Sequence, residues 1–123
     1  MQSILNNIRR PDITFYPNGR IDITARVAGI LSLESGDVID ILHDGREFYI
    51  YVRAKRSQII GRFHGQVHPT NLGKSRNYRA FSIQMTNYIL SHCHATTARL
   101  PVGEPLQLSV GTALPIITNC LLR

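Results

Sequence analysis

The chain has 123 residues, 43% of them hydrophobic, and a formal net charge of +6. That length suits one domain with its own core, and that composition excludes a disordered chain. Two cysteines, Cys93 and Cys120, make no disulfide framework, and no apolar run approaches the ~20 residues of a membrane span.

The first residues lack the basic and apolar blocks of a secretory signal, so the sequence predicts a cytoplasmic protein with no membrane partner. Residues 1–11 read as an N-terminal arm: Ile4, Leu5 and Ile8 sit at helical spacing, and Pro11 resets the backbone. Ile13 to Tyr16 are strand formers that run into the turn Pro17-Asn18-Gly19. Ile21 and Ile23 alternate with Asp22 and Thr24, the period of a half-buried strand. Thr24 is then placed to cap a short helix through its hydroxyl, and Val27, Ile30 and Leu31 give that helix an apolar face. Gly36-Asp37 breaks the chain, and Val38, Ile39 and Ile41 lead a strand to the hairpin dipeptide Asp44-Gly45. Phe48 to Val52 form the return strand, and their continuous apolarity predicts that both faces are covered.

The order Gly19-Arg20-Ile21-x-Ile23, short helix, Leu33-x-x-Gly36-Asp37, strand resembles the swapped-hairpin domain of AbrB/SpoVT/MazE-type DNA-binding regulators. The resemblance covers residues 12–53. It implies a small barrel-like fold, duplex DNA as partner, and phosphate contacts from basic residues on and near the turn, with Arg20 matching the arginine after the turn glycine. The family often carries an arginine pair late in the short helix, where this chain has Ala28 and Gly29. A proline after the strand is replaced by Thr24, and Arg26 stands at a commonly acidic position.

Beyond a basic link at residues 53–57, Gln58 to His68 reads as a strand with bends at Gly61 and Gly65, and Pro69 to Asn77 as an exposed loop. Two readings compete next. Tyr78, Phe81, Met85, Tyr88 and Ile89 fit one helix over 76–92, whereas a strand over 77–81 with Ser82 capping a helix through Cys93 fits as well. The second reading repeats the first half: Phe81-Ser82 matches Ile23-Thr24, and Tyr88-Ile89 matches Ile30-Leu31, at an offset of 58 positions. Leu100-Pro101-Val102-Gly103-Glu104 then echoes Leu33 to Asp37, with a strand at Leu106 to Leu108, a turn at Gly111 and a closing strand from Leu114 to Thr118. Pro115 restricts that closing strand to an edge or to its start.

Charge is unevenly spread. Between Glu47 and Glu104 there is no carboxylate, while Arg53, Lys55, Arg56, Arg62, Lys74, Arg76, Arg79 and Arg99 fall in that window with His64, His68, His92 and His94. A cation run without counter-charges attracts a polyanion. The candidate DNA-binding set is therefore Arg20, Arg26, Arg53, Lys55, Arg56, Arg62, Lys74, Arg76 and Arg79.

Other chemistry finds less support. His64-x-x-x-His68 is half of a zinc pattern, but Gly65 and Pro69 oppose the helix that would align it, and no C-x-x-C is present. His92, Cys93 and His94 are neighbours whose side chains point apart on a helix. No phosphate loop or catalytic motif occurs. The sequence thus predicts a non-enzymatic, β-rich α+β domain of swapped-hairpin, barrel-like units with two short helices, spanning 12–123. Residues 12–53 and 58–119 form its two units, and the protein is a homodimer or an internal pseudo-dimer without cofactor or metal. The competing class is a structural or protein-interaction scaffold, such as an accessory protein of a phage or mobile element, that uses this fold without DNA.

Overall fold

The computed structural model describes residues 11–61, 64–70 and 76–119. The chain order is β1 (Ile13–Phe15), β2 (Arg20–Ile23), α1 (Ala25–Ile30), β3 (Val38–His43), β4 (Phe48–Ala54), β5 (His68–Pro69), β6 (Tyr78–Phe81), α2 (Ile83–Cys93), β7 (Ala98–Leu100), β8 (Leu106–Leu108) and β9 (Gly111–Ile116). These strands build two antiparallel sheets, a five-stranded one ordered β5-β6-β2-β1-β7 and a four-stranded one ordered β3-β4-β9-β8. The fold is β-rich α+β. No barrel closes among the described residues, which corrects the barrel-like expectation: the strands hydrogen-bond within two separate sheets instead of around one cylinder. The N-terminal arm lies outside the described residues apart from its last position, Pro11. No described helix is long and apolar enough to cross a membrane.

One core draws on both sheets and both helices. Ile13, Phe15, Ile21 and Ile23 meet Ile39, Phe48, Ile50, Leu114 and Ile116, with Val27 and Ile89 supplied by the helices. The apolar run in β4 is covered on both faces, as its composition predicts: Phe48 and Ile50 enter this core, and Tyr49 and Tyr51 join Ala113 in a second cluster. Tyr49 Oη donates to Glu47 at 2.9 Å and to Asp44 at 3.2 Å, and those carboxylates push the phenol up to about 12.

The turns follow from local chemistry. Gly19 adopts φ +95°, and a Cβ there would fall 2.9 Å from Ile83 Cγ1, so glycine is required both for the turn and for the approach of α2. Asp44 Oδ1 accepts from the backbone N–H groups of Arg46 and Glu47, closing the β3–β4 hairpin.

Between Asn77 and Cys93 the strand-plus-helix reading holds. Ser82 is extended, its Oγ accepts from Met85 N at 3.2 Å, and α2 follows directly. A single helix from residue 76 is excluded because residues 78–81 pair with β2. The cap expected at Thr24 is not made. Asn77 Oδ1 reaches across and accepts from Ala25 N at 2.8 Å, leaving Thr24 Oγ1 buried without a partner. Among the described residues, the strand expected over Gln58–His68 is not continuous. Residues 56–58 form a 3-10 turn, Gly65 takes φ +82°, Gln66 makes an isolated bridge to Val38, and His68 and Pro69 join the five-stranded sheet. The tip of the expected loop, residues 71–75, lies outside the described residues, while Thr70 N and Asn77 O close its base at 2.9 Å. The last hairpin turns at Ser109-Val110, and Gly111 begins the strand at φ +112°. That strand is interior, contrary to expectation. Pro115 is tolerated because β8 ends opposite Ala113, which leaves the proline beside Gly103, whose N–H donates to Pro115 O at 2.8 Å.

Loss of the Ser82 hydroxyl removes a satisfied cap, whereas loss of the Thr24 hydroxyl removes an unsatisfied one. Ser82→Ala is expected to lower unfolding free energy by about 1 kcal/mol in urea titrations, and Thr24→Val to leave it unchanged or raise it.

Candidate nucleic-acid interface

Alternation along the five-stranded sheet turns Ile13, Phe15, Ile21, Ile23, Tyr78 and Ala80 into the core. Thr14, Arg20, Asp22, Arg79 and Phe81 are left on the opposite face. Register then aligns His68, Arg79, Asp22, Thr14 and Arg99 in one row across all five strands. At ~4.8 Å per strand the row is about 19 Å long.

Asp22 organises this face. Arg79 Nε donates to Asp22 Oδ1 at 2.8 Å, and Arg20 Nη2 lies 3.4 Å from Asp22 Oδ2. The hydrogen bond to Asp22 raises the Arg79 pKa further above its ordinary value. The Arg20 guanidinium also rests on the Tyr16 ring, 3.8 Å from its centroid, while its Nε is buried without a partner. One carboxylate thus holds two guanidinium groups side by side, and the cluster keeps a net positive charge. Arg99 adds another cation beyond Thr14 and forms no ion pair among the described residues. Phe81, opposite Arg20, is 55% exposed and sets an aromatic ring beside the arginines.

Of the nine candidate residues, the structure brings together Arg20 and Arg79. Arg26 lies on α1, where its Nη1 pairs with Asp12 at 3.1 Å. Arg76 is exposed beside Asn77, the residue that caps α1. Arg53, Lys55 and Arg56 cluster elsewhere, at the far end of β4. Arg62 and Lys74 lie outside the described residues. Arg99 and His68 were in the carboxylate-free window but not in the candidate set. The buried-exposed-buried pattern of Ala98-Arg99-Leu100 is the alternation that marks Arg99 as an outward strand residue.

The window is not without counter-charge once the chain folds, a correction to the sequence picture. Asp22 comes from the first half to meet Arg79, and Asp37 and Glu34 come to meet Lys55, at 2.6 Å and 3.3 Å. Asp37 is fully buried. Burial alone would raise its pKa, but hydrogen bonds from Lys55 Nζ and from the N–H groups of Arg56 and Glu34 outweigh this and hold it below the ordinary 3.8. Lys55 is therefore committed to the fold. Its Nζ also donates to Ser32 O at 3.0 Å.

His92 and His94 are exposed at the end of α2, and Cys93 is half-buried. His92 meets the Phe48 ring edge-on at 4.9 Å, His94 takes the left-handed position that ends α2, and Cys93 Sγ turns inward toward Thr118 O. Burial pushes the Cys93 thiol up, away from reactivity. Among the described residues no three His, Cys, Asp or Glu side chains converge as metal ligands. Comparison of the chain with protein families, with curated proteins and with solved structures gives no match in any of the three.

Asp37 has a depressed pKa in the folded state, so its contribution to stability is present above the unfolded value of about 3.8 and disappears as pH falls through the folded one. Asp37→Ala is expected to lower unfolding free energy at pH 7 by about 2 kcal/mol and to flatten the loss of stability below pH ~4, as followed by acid and urea titrations.

Proposed function

We propose that this chain is a non-enzymatic nucleic-acid-binding protein that meets duplex DNA with the outer face of its five-stranded sheet. The observation that carries the reading is the Arg20–Asp22–Arg79 cluster, extended by Arg99 and His68 into one cross-strand row. Guanidinium groups held in place by a shared carboxylate are pre-positioned for phosphate oxygens, which orient a protein on a duplex without reading its sequence. Phe81 and Tyr16 supply ring faces beside them.

The strand order supports the further reading that two swapped-hairpin-like units, similar to those of AbrB/SpoVT/MazE-type regulators, are packed in a single chain. The central strands of both sheets read the same from either side: β5-β6 mirrors β1-β2, and β3-β4 mirrors β8-β9. The strand faces do not keep the offset of 58: Ile21 and Ile23 are buried, whereas Arg79 and Phe81, the residues 58 positions on, lie on the outer face. In this reading the second unit differs by its longer helix, eleven residues against six, and by the added strand β7. The competing scaffold reading draws on the exposed Ile83 and Tyr88, each 62% accessible.

Binding to a random duplex of ~30 bp across a salt series tests the proposal. Changing Arg20, Arg79 and Arg99 together to Ala should reduce the slope of log affinity against log salt by about 2 to 3. Asp22→Asn, which removes the one carboxylate, should tighten binding. Affinity that the triple change leaves untouched, or no binding at low salt, sets this face aside and favours the scaffold.

A further inference from the structure

β3 is an outer strand of the four-stranded sheet, and a groove of about 430 Å³ runs between its free edge and α2. The chain itself begins to fill that edge and then leaves it. Gly36 N donates to Val67 O, Val67 N to Asp37 O and Ile39 N to Gly65 O, at 2.7, 2.8 and 3.0 Å, an antiparallel addition that includes the Val38–Gln66 bridge. At Gly65 the backbone turns off, and its N–H donates to Phe81 O at 3.0 Å. Because Ile39 N–H points away from β4, strand periodicity points the backbone groups of Ile41 and His43 the same way. Ile41 C=O and His43 N–H have no partner among the described residues, and Ile41 N–H is taken by the carboxylate of its neighbour Asp40 at 2.7 Å.

The groove has two unlike ends. At one end His43 stacks on Phe48 with ring centroids 4.0 Å apart, and Tyr88 of α2 stands edge-on to them. At the other, Arg53 and His64 line the groove beside Asp40, and Met85 closes against Gly65. Asp40 is already engaged by Ile41 N–H and by Tyr51 Oη, whereas Arg53 forms no ion pair among the described residues.

We propose that this groove captures the C-terminal tail of a partner protein by strand addition to β3. The tail runs antiparallel to β3, in line with residues 65–67, so it enters beside His43 and must end before Gly65. Its free carboxylate takes the place of Asp40 on Ile41 N–H, between Arg53 and His64. The side chain opposite Ile41 is apolar and packs against Met85 and Tyr88, while backbone hydrogen bonds to Ile41 C=O and His43 N–H set the register. The proposal does not depend on the nucleic-acid reading, which concerns the other sheet.

The test presents the full chain with a pool of immobilised random hexapeptides that have free C-termini and an apolar last residue, and with the same pool amidated at the C-terminus. Binding is expected to the free-acid pool, with amide NMR shifts at Ile41 and His43. Amidation or Arg53→Ala should each weaken it by about tenfold. His43→Pro, an edge position whose outward N–H it deletes, should do the same in protein whose remaining amide spectrum is unchanged. Equal binding of the two pools overturns capture of the carboxylate, and absence of binding to the free-acid pool overturns the site.

Discussion

The buried carboxylate of Asp37 is the constraint on which the connections between the sheets depend. Its oxygens receive Lys55 Nζ and the N–H groups of Glu34 and Arg56, while its own C=O accepts from Val67. Three pieces of chain separated in sequence therefore share one residue: the loop from α1 into β3, the exit of β4 and the segment before β5. A buried charge is tolerated only when its lone pairs are filled, and here they are filled mostly by backbone groups whose positions define the fold. Gly36 completes the arrangement, because a side chain there would collide with Arg56.

Much of the architecture was legible where a local rule and the hydrophobic period agree. Gly19, Gly36-Asp37 and Asp44-Gly45 mark real breaks, and the alternation of Ile21 and Ile23 marks a real strand. Ser82 caps the second helix because nothing competes for its hydroxyl. Thr24 makes no such bond at the equivalent position, and the first helical N–H is met instead by Asn77, far along the chain. A long-range acceptor leaves no trace in a local pattern. The same holds for Gln58 to His68, whose composition suits a strand but whose partners are the loop at Gly36 and the edge of β3, which hold it in an irregular path.

The site was less legible than the fold, for an electrostatic reason. Sequence exposes the number of cations in a window, not the carboxylates that folding brings to them. Lys55 and Arg79 lie in the stretch richest in positive charge, yet both face acids from the first half. Lys55 is withdrawn into a structural lock, whereas Arg79 is held on a surface by an acid it shares with Arg20. Only the register separates these two fates: Asp37 sits in a loop covered by the fold, and Asp22 on the outer face of a sheet.

The interleaved strand order also bears on how the chain reaches this structure. At the middle of each sheet an early strand lies against a late one, β2 against β6 and β4 against β9, and β1 is closed on its far side by β7. When the first half leaves the ribosome, the apolar strand Phe48–Val52 has its hairpin partner but not its second neighbour. Residues 20–23 likewise wait for residues 78–81. Such non-local pairing slows folding and prolongs the exposure of unpaired strand edges. A truncated product ending before β6 would retain two central strands, β2 and β4, each lacking one of its neighbours, so this is a chain whose halves are safe only together.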